Sequence, residues 1–244
     1  MSVDLVLHVD PQGDALAAAQ DCEASVFLAQ YGNTASQWAE EYGPYDATSV
    51  FLTVTEPGGD AVASMRLILP SELGLKSLDD VARAPWSIDG VRAARATGMT
   101  LSQTWDVATI AIRKGAARGG LLSAALYRGL LLATRANAAR WLVMIMDVRA
   151  RRVLHTAGLQ TRVLPGASIA PYLGSGASVP LWTEVAPMVD LQRRLNPDAY
   201  RLITLGIGMD GVAVPDPSEF LLTPREPVLQ AVSDSASLSG LATA

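Results

Sequence analysis

The sequence predicts an α/β chain, with a mixed, twisted central sheet carrying helices on both faces. Three observations carry that reading. Candidate elements follow the order helix, hairpin, strand, long helix, strand, helix, strand, strand. Residues 141–146, Trp-Leu-Val-Met-Ile-Met, form an unbroken apolar run bounded by charges, the pattern of a strand covered on both faces. A strand at 104–112 runs through a glycine-rich turn directly into a helix at 117–138 that is apolar almost all round.

The elements follow in chain order. Residues 3–9 alternate weakly and read as a strand. Residues 14–30 read as a helix with Asp14 as its cap and Leu16, Ala19, Val26 and Phe27 on or near one face. Gly43-Pro44 marks a turn over 42–46. Residues 48–56 and 61–69 are the arms of a hairpin around Pro57-Gly58-Gly59-Asp60. A short helix is expected over 75–84, and 91–102 read as irregular. After the apolar strand come a helix at 148–157 stopped by Gly158, strands at 159–164 and 179–185, and a helix at 187–195 opened by Pro187. Beyond Leu205 the pattern fades. The expected organisation is therefore one domain over 1–205 and a C-terminal extension over 206–244, whose last residues, 233–244, are small and polar.

Composition narrows the function classes. Half of the 244 residues are hydrophobic, enough for a sizeable core. The lone cysteine, Cys22, permits no intrachain disulfide and suits a reducing compartment. Residues 1–10 show no basic stretch ahead of an apolar run, so a cytoplasmic chain is expected. The uncharged run 163–183 is long enough to span a bilayer, but its three prolines and three glycines make it a loop and a strand instead. A net charge of −5 argues against a nucleic-acid partner. Within that acidic chain, residues 113–162 hold ten cations against the single acid Asp147, which predicts an anion-binding face.

Several motifs fail their context. Gly206-Ile207-Gly208-Met209-Asp210-Gly211 fits a dinucleotide fingerprint, but prolines follow where a helix should open. No phosphate-loop or serine-elbow motif occurs. With only His8, His155 and one cysteine, a His/Cys zinc cage is not expected.

The unit that carries chemistry is the strand, turn and helix at 104–138. Its turn reads Lys114-Gly115-Ala116-Ala117-Arg118-Gly119-Gly120. Glycines let backbone approach a ligand, and the first turn of a helix offers free N–H groups and a favourable dipole. With Lys114 and Arg118, this turn suits a diphosphate held without metal.

The arrangement resembles the central motif of the GNAT acyltransferases, and more closely the acyl-homoserine-lactone and N-acyl-amino-acid synthases. Tyr45-Asp46 resembles the acidic segment before their first strand. Ala63-Ser64-Met65-Arg66-Leu67-Ile68-Leu69-Pro70 resembles their Gly-Ser-x-Arg-Leu-x-Pro stretch, and Trp105-Asp106-Val107-Ala108-Thr109 their Trp-Glu-x-x-Arg strand. Leu154-His155-Thr156-Ala157-Gly158-Leu159 followed by Pro165-Gly166 resembles their helix-glycine-strand unit. Cys22-Glu23 stand where the family usually carries an arginine, and Thr109 stands where its strand carries another. Gly43 takes the place of a second aspartate, and Gly119 and Gly120 are adjacent rather than alternating.

The resemblance implies a three-layer GNAT-like fold. It implies transfer of an acyl group from coenzyme A or acyl carrier protein, as co-substrate rather than tightly bound cofactor, to a small amine. The donor site would comprise Ile110, Ile112, Lys114, Gly115, Arg118, Gly119, Gly120 and Leu121. Asp46 and Asp106 would receive the amine's proton, and Arg66 would pair with them or bind an acceptor carboxylate. The alternative is a GNAT-fold binding or regulatory domain without catalysis.

Overall fold

The computed structural model describes residues 5–116 and 119–222. Strand β1 (Leu5–Val9) leads into helices α1 (Asp14–Tyr31) and α2 (Ala35–Tyr42). The hairpin follows as β2 (Ser49–Thr55) and β3 (Ala61–Ile68), then short helices α3 (Lys76–Asp80) and α4 (Gly90–Ala96). Strand β4 (Thr104–Ile112), helix α5 (Gly119–Ala136), strand β5 (Trp141–Asp147) and helix α6 (Val148–Thr156) form the middle of the chain. Strands β6 (Arg162–Val163), β7 (Ala170–Tyr172) and β8 (Ser175–Glu184) precede helix α7 (Val185–Leu195), and β9 (Val212–Ala213) comes last.

The strands form one mixed sheet in the order β6-β8-β5-β4-β3-β2-β1-β9, with β7 on β8. Among the described residues, only β4 with β5 and β1 with β9 run parallel. Apolar side chains of α5, α6 and α7 close one face of the sheet, around Leu52, Met65, Leu126 and Leu142. On the other face α3 and α4 enclose a second core around Ile68, Val143, Trp86 and Trp182, while α1 lies across β3 and β4. This is the predicted three-layer α/β architecture.

Four departures from the sequence reading bear on the architecture. The turn at 42–46 is preceded by α2, which a Thr34/Gln37 capping box starts. The irregular stretch 91–102 opens with α4, started by the Asp89 carboxylate accepting from Arg92 N–H. Residues 170–184 form a hairpin, so β8 begins at Ser175 rather than at 179. The extension placed after residue 205 is part of the domain as far as Leu222, because β9 joins the sheet edge beside β1 and Phe220 is fully buried against the core. The small, polar stretch 233–244 lies outside the described residues. Among the described residues no helix is long and apolar enough to cross a membrane.

The β7–β8 turn is held tightly. Gly174 has φ +81°, and a Cβ there would lie 2.3 Å from the Tyr31 carbonyl oxygen at the end of α1. Both the left-handed backbone and that contact demand glycine. Gly174→Ala is expected to cost about 1–3 kcal/mol of unfolding free energy, read by urea denaturation. An unchanged midpoint would show that the turn and α1 separate freely.

Candidate functional site

The centre of the sheet is interrupted twice. Arg66 pairs with Thr109 and Leu67 with Val107, so Ala108 is an extra residue, a bulge in β4. On its other edge β4 pairs with β5 only from Thr104/Trp141 to Asp106/Val143, although both strands run on. Beyond that point the two parallel strands separate. The wedge between them is the mouth of a cavity of about 260 Å³. Its walls come from both sides of the sheet: Ser123 and Tyr127 of α5 on one, Phe27, Tyr31 and Tyr42 of α1 and α2 on the other. Thr109, Ile110 and Ile112 of β4, Ile145 and Asp147 of β5, and Tyr172 of β7 complete it. A slot through a sheet, mostly apolar and ringed by hydroxyls, suits an elongated ligand that meets a second molecule midway.

Next to the cavity lies a buried charge network. Glu23 on α1 is 0% exposed and Arg66 on β3 is 3% exposed. Arg66 donates to Glu23 from Nη2 at 2.8 Å and from Nε at 3.1 Å, and to Asp46 from Nη1 at 2.7 Å. Trp38 Nε1 at 3.1 Å and the Thr109 hydroxyl also donate to Glu23. The Arg66 guanidinium lies over the Tyr42 and Phe51 rings, 4.9 and 4.8 Å from their centroids. Burial alone would lower its pKa, but Glu23 and then Asp46 hold it above the ordinary arginine value.

On the far side of Tyr42, Lys76 Nζ donates to Glu41 at 2.6 Å, Asp80 at 2.7 Å and Tyr172 at 3.4 Å. The Tyr172 hydroxyl in turn donates to Asp80. Burial raises Tyr42 and Tyr172 well above the usual phenol range, and Tyr127 to about 12, so all three remain protonated acids.

The structure divides the expected catalytic residues. Asp46 and Arg66 meet directly. Asp106 lies on the same face of the sheet one strand away, but it does not line the cavity. It is fully buried, and its carboxylate accepts from Ser77 N–H at 2.5 Å and Ser77 Oγ at 2.8 Å, serving the N-terminus of α3. Burial, against those hydrogen bonds, pushes it up to about 7. The expectation that three side chains converge on one cleft is therefore corrected, and Arg66 has each of its three nitrogens on an acid.

Of the expected donor residues, Ile110 and Ile112 line the cavity. Gly115 turns with φ +82°, Lys114 is exposed, and Gly119 and Gly120 open α5 with free space where a Cβ would stand. Leu121 instead packs half-buried against the core. Arg118 lies outside the described residues. Several cations of the 113–162 block are engaged internally: Arg113 with Asp21, Arg140 with Glu184, Arg151 with Thr161 and Arg128 on the Ile203 and Thr204 carbonyls.

No protein-family model and no curated protein matches the sequence. Solved structures do. An N-acyl amino acid synthase from uncultured soil microbes, FeeM, superposes with TM-score 0.58 at 13% identity, over 77% of this chain and 94% of its own. The acyl-homoserine-lactone synthase LasI gives 0.55 at 14%, over 80% and 96%. The CoA-dependent acyl-homoserine lactone synthase BjaI, determined with SAM and isopentyl-CoA, gives 0.56 at 13%, over 90% and 97%. The chain shares the α/β fold of these synthases.

Within that fold, sequence reasoning missed Glu23, Tyr42, Lys76, Asp80, Tyr172 and Asp147. Only Glu23 left a usable signal, a carboxylate on the helix face that carries Ala19 and Phe27 four residues to either side.

Proposed function

We propose that the protein transfers an acyl group from a thioester, on coenzyme A or acyl carrier protein, to the amine of a small molecule in the cytoplasm. The cavity through the β4–β5 wedge carries this reading. It lies beside the Lys114-Gly115 turn and the first turn of α5, where N–H groups and dipole suit the donor's phosphate. From there the acylated arm would run along the unpaired edge of β4, placing the thioester carbonyl near the bulge at Ala108. The amine would enter from the α1–α2 side.

The uncharged amine attacks the carbonyl, forming the C–N bond, and the amine's extra proton passes to water. The tetrahedral oxyanion meets backbone N–H groups on the free edge of β4. Its collapse breaks the C–S bond, and a cavity tyrosine, protonated at neutral pH, supplies the proton to the departing thiolate. A non-catalytic binding domain has one observation in its favour, the withdrawal of Asp106 from the cavity. Release of free thiol from acyl-CoA and acyl carrier protein of graded chain length, with and without amines, separates the two. Amine-dependent release is expected, and Ile145→Trp, which fills the wedge, should reduce it roughly 100-fold. No release from any thioester would favour the binding domain.

A further inference from the structure

The cavity offers a potential acceptor very little charge. Among the described residues that line it, Asp147 at the end of β5 is the one charged side chain. It shares a face with Val143 and Ile145, the face covered by α1, and thus the side from which an amine would enter. Its carboxylate is fixed: Oδ1 accepts from Arg149 N–H and Oδ2 from Ser175 Oγ, each at 2.7 Å. Burial would raise its pKa, but these hydrogen bonds outweigh that and hold it below the usual aspartate value. It therefore stays anionic and is a poor base.

Two buried cations near the cavity are spent, while Arg149, whose charge acts on Asp147 and Tyr31, is exposed to solvent. Arg66 has Nε, Nη1 and Nη2 on Glu23 and Asp46 and does not line the cavity. Lys76 has its ammonium on Glu41, Asp80 and Tyr172 and does not line it either. Both are held by acids, and a carboxylate moved into this pocket without a partner would lose its hydration for nothing. A cation fares differently. It finds Asp147 and the rings of Phe27 and Tyr31, since aromatic faces attract positive charge, while Tyr42 and Tyr172 already carry Arg66 and Lys76.

We infer that Asp147 anchors a cationic group of the acceptor, which belongs to the class of small aliphatic amines carrying a second positive charge and no carboxylate. The inference rests on the acyl-transfer reading for the word acceptor, but the anchor itself is a binding site. Asp147 is unsuited to hold the reacting nitrogen, because a persistent anion would keep that nitrogen protonated. It suits the other end of a diamine, leaving the reacting nitrogen free to lose its proton near the β4 bulge.

The test is calorimetric titration of the full chain with 1,4-diaminobutane, 4-aminobutyrate and n-butylamine, alongside the thiol-release assay. The diamine should bind at least about 10-fold more tightly than either of the others. Asp147→Asn keeps an oxygen to accept from Arg149 N–H and removes the charge. It should weaken diamine binding about 10–100-fold while leaving the Michaelis constant for the thioester unchanged. Asp147→Glu should restore most of the affinity, which a loss of structure would not. Equal binding of 4-aminobutyrate, no binding of the diamine, or an Asp147→Asn variant with full affinity would overturn the anchor. Asp147-dependent diamine binding with no thiol release from any thioester would keep the anchor and remove the acyl-transfer reading. Turnover that prefers amino acids would do the reverse.

Discussion

Arg66→Ala should lower the unfolding free energy by about 3–5 kcal/mol, because it strands the Glu23 carboxylate in the interior. Glu23 is 0% exposed, and without Arg66 only Trp38 and Thr109 donate to it. Asp46 forms the outer half of the same network, but its side chain is 56% exposed. Water would replace its partner, so Asp46→Ala should cost about 1 kcal/mol or less. Removing both buried charges together, as Glu23→Met with Arg66→Met, should be far milder than Arg66→Ala alone, since no unpaired ion remains. Urea denaturation of the three variants completes the comparison. If Arg66→Ala stayed within about 1 kcal/mol of the parent, water must reach Glu23, and the network would be an open one. Arg66 is thereby reassigned. A residue that resembles an acceptor-binding arginine in sequence here holds α1 and the Asp46 turn against β3.

That reassignment shows where sequence ceases to inform. The strands were legible because their patterns are local: the apolar run at β5, the turn between β2 and β3, the glycines after β4. The layers follow from the order of elements. The bulge at Ala108 is not legible, since one extra residue in a strand of Val, Ala, Thr and Ile leaves no mark on its composition. Helix α2 is short and rich in polar residues, and Gly43-Pro44 behind it drew the reading toward a turn. Glu23 and Arg66 are 43 positions apart, and their pairing is a fact of tertiary packing. Asp147 looked like the lone exception in a basic stretch. Its place on the cavity wall depends on where β5 separates from β4, which no local pattern reports. The resemblance had the same limit: it paired residue types along strands but could not say that Asp106 points to Ser77.

Asp106 provides the second large effect, and its sign is opposite to that of an ordinary paired carboxylate. In the unfolded chain an aspartate ionises near pH 3.9. In the folded protein, burial pushes Asp106 up to about 7 despite the two hydrogen bonds from Ser77. Between those values the folded state binds a proton that the unfolded state has released. Stability from this group is therefore fully present below about pH 4, falls as the pH rises toward 7, and is flat above. The loss amounts to something on the order of 4 kcal/mol across that window. Asp106→Asn cannot ionise and should remove this slope. The variant forfeits one acceptor for the Ser77 donors, a cost of about 1 kcal/mol at every pH. It should thus be slightly weaker than the parent at pH 4 and clearly stronger at pH 8, with other titrating groups common to both proteins cancelling in the difference. Parallel curves for the two proteins would mean that Asp106 ionises freely and is reached by water. Activity adds a separate criterion. Because Asp106 does not line the cavity, the asparagine variant should turn over acyl thioesters about as fast as the parent. A loss of ~100-fold in a variant that remains folded would return Asp106 to the role of general base that the strand motif implied.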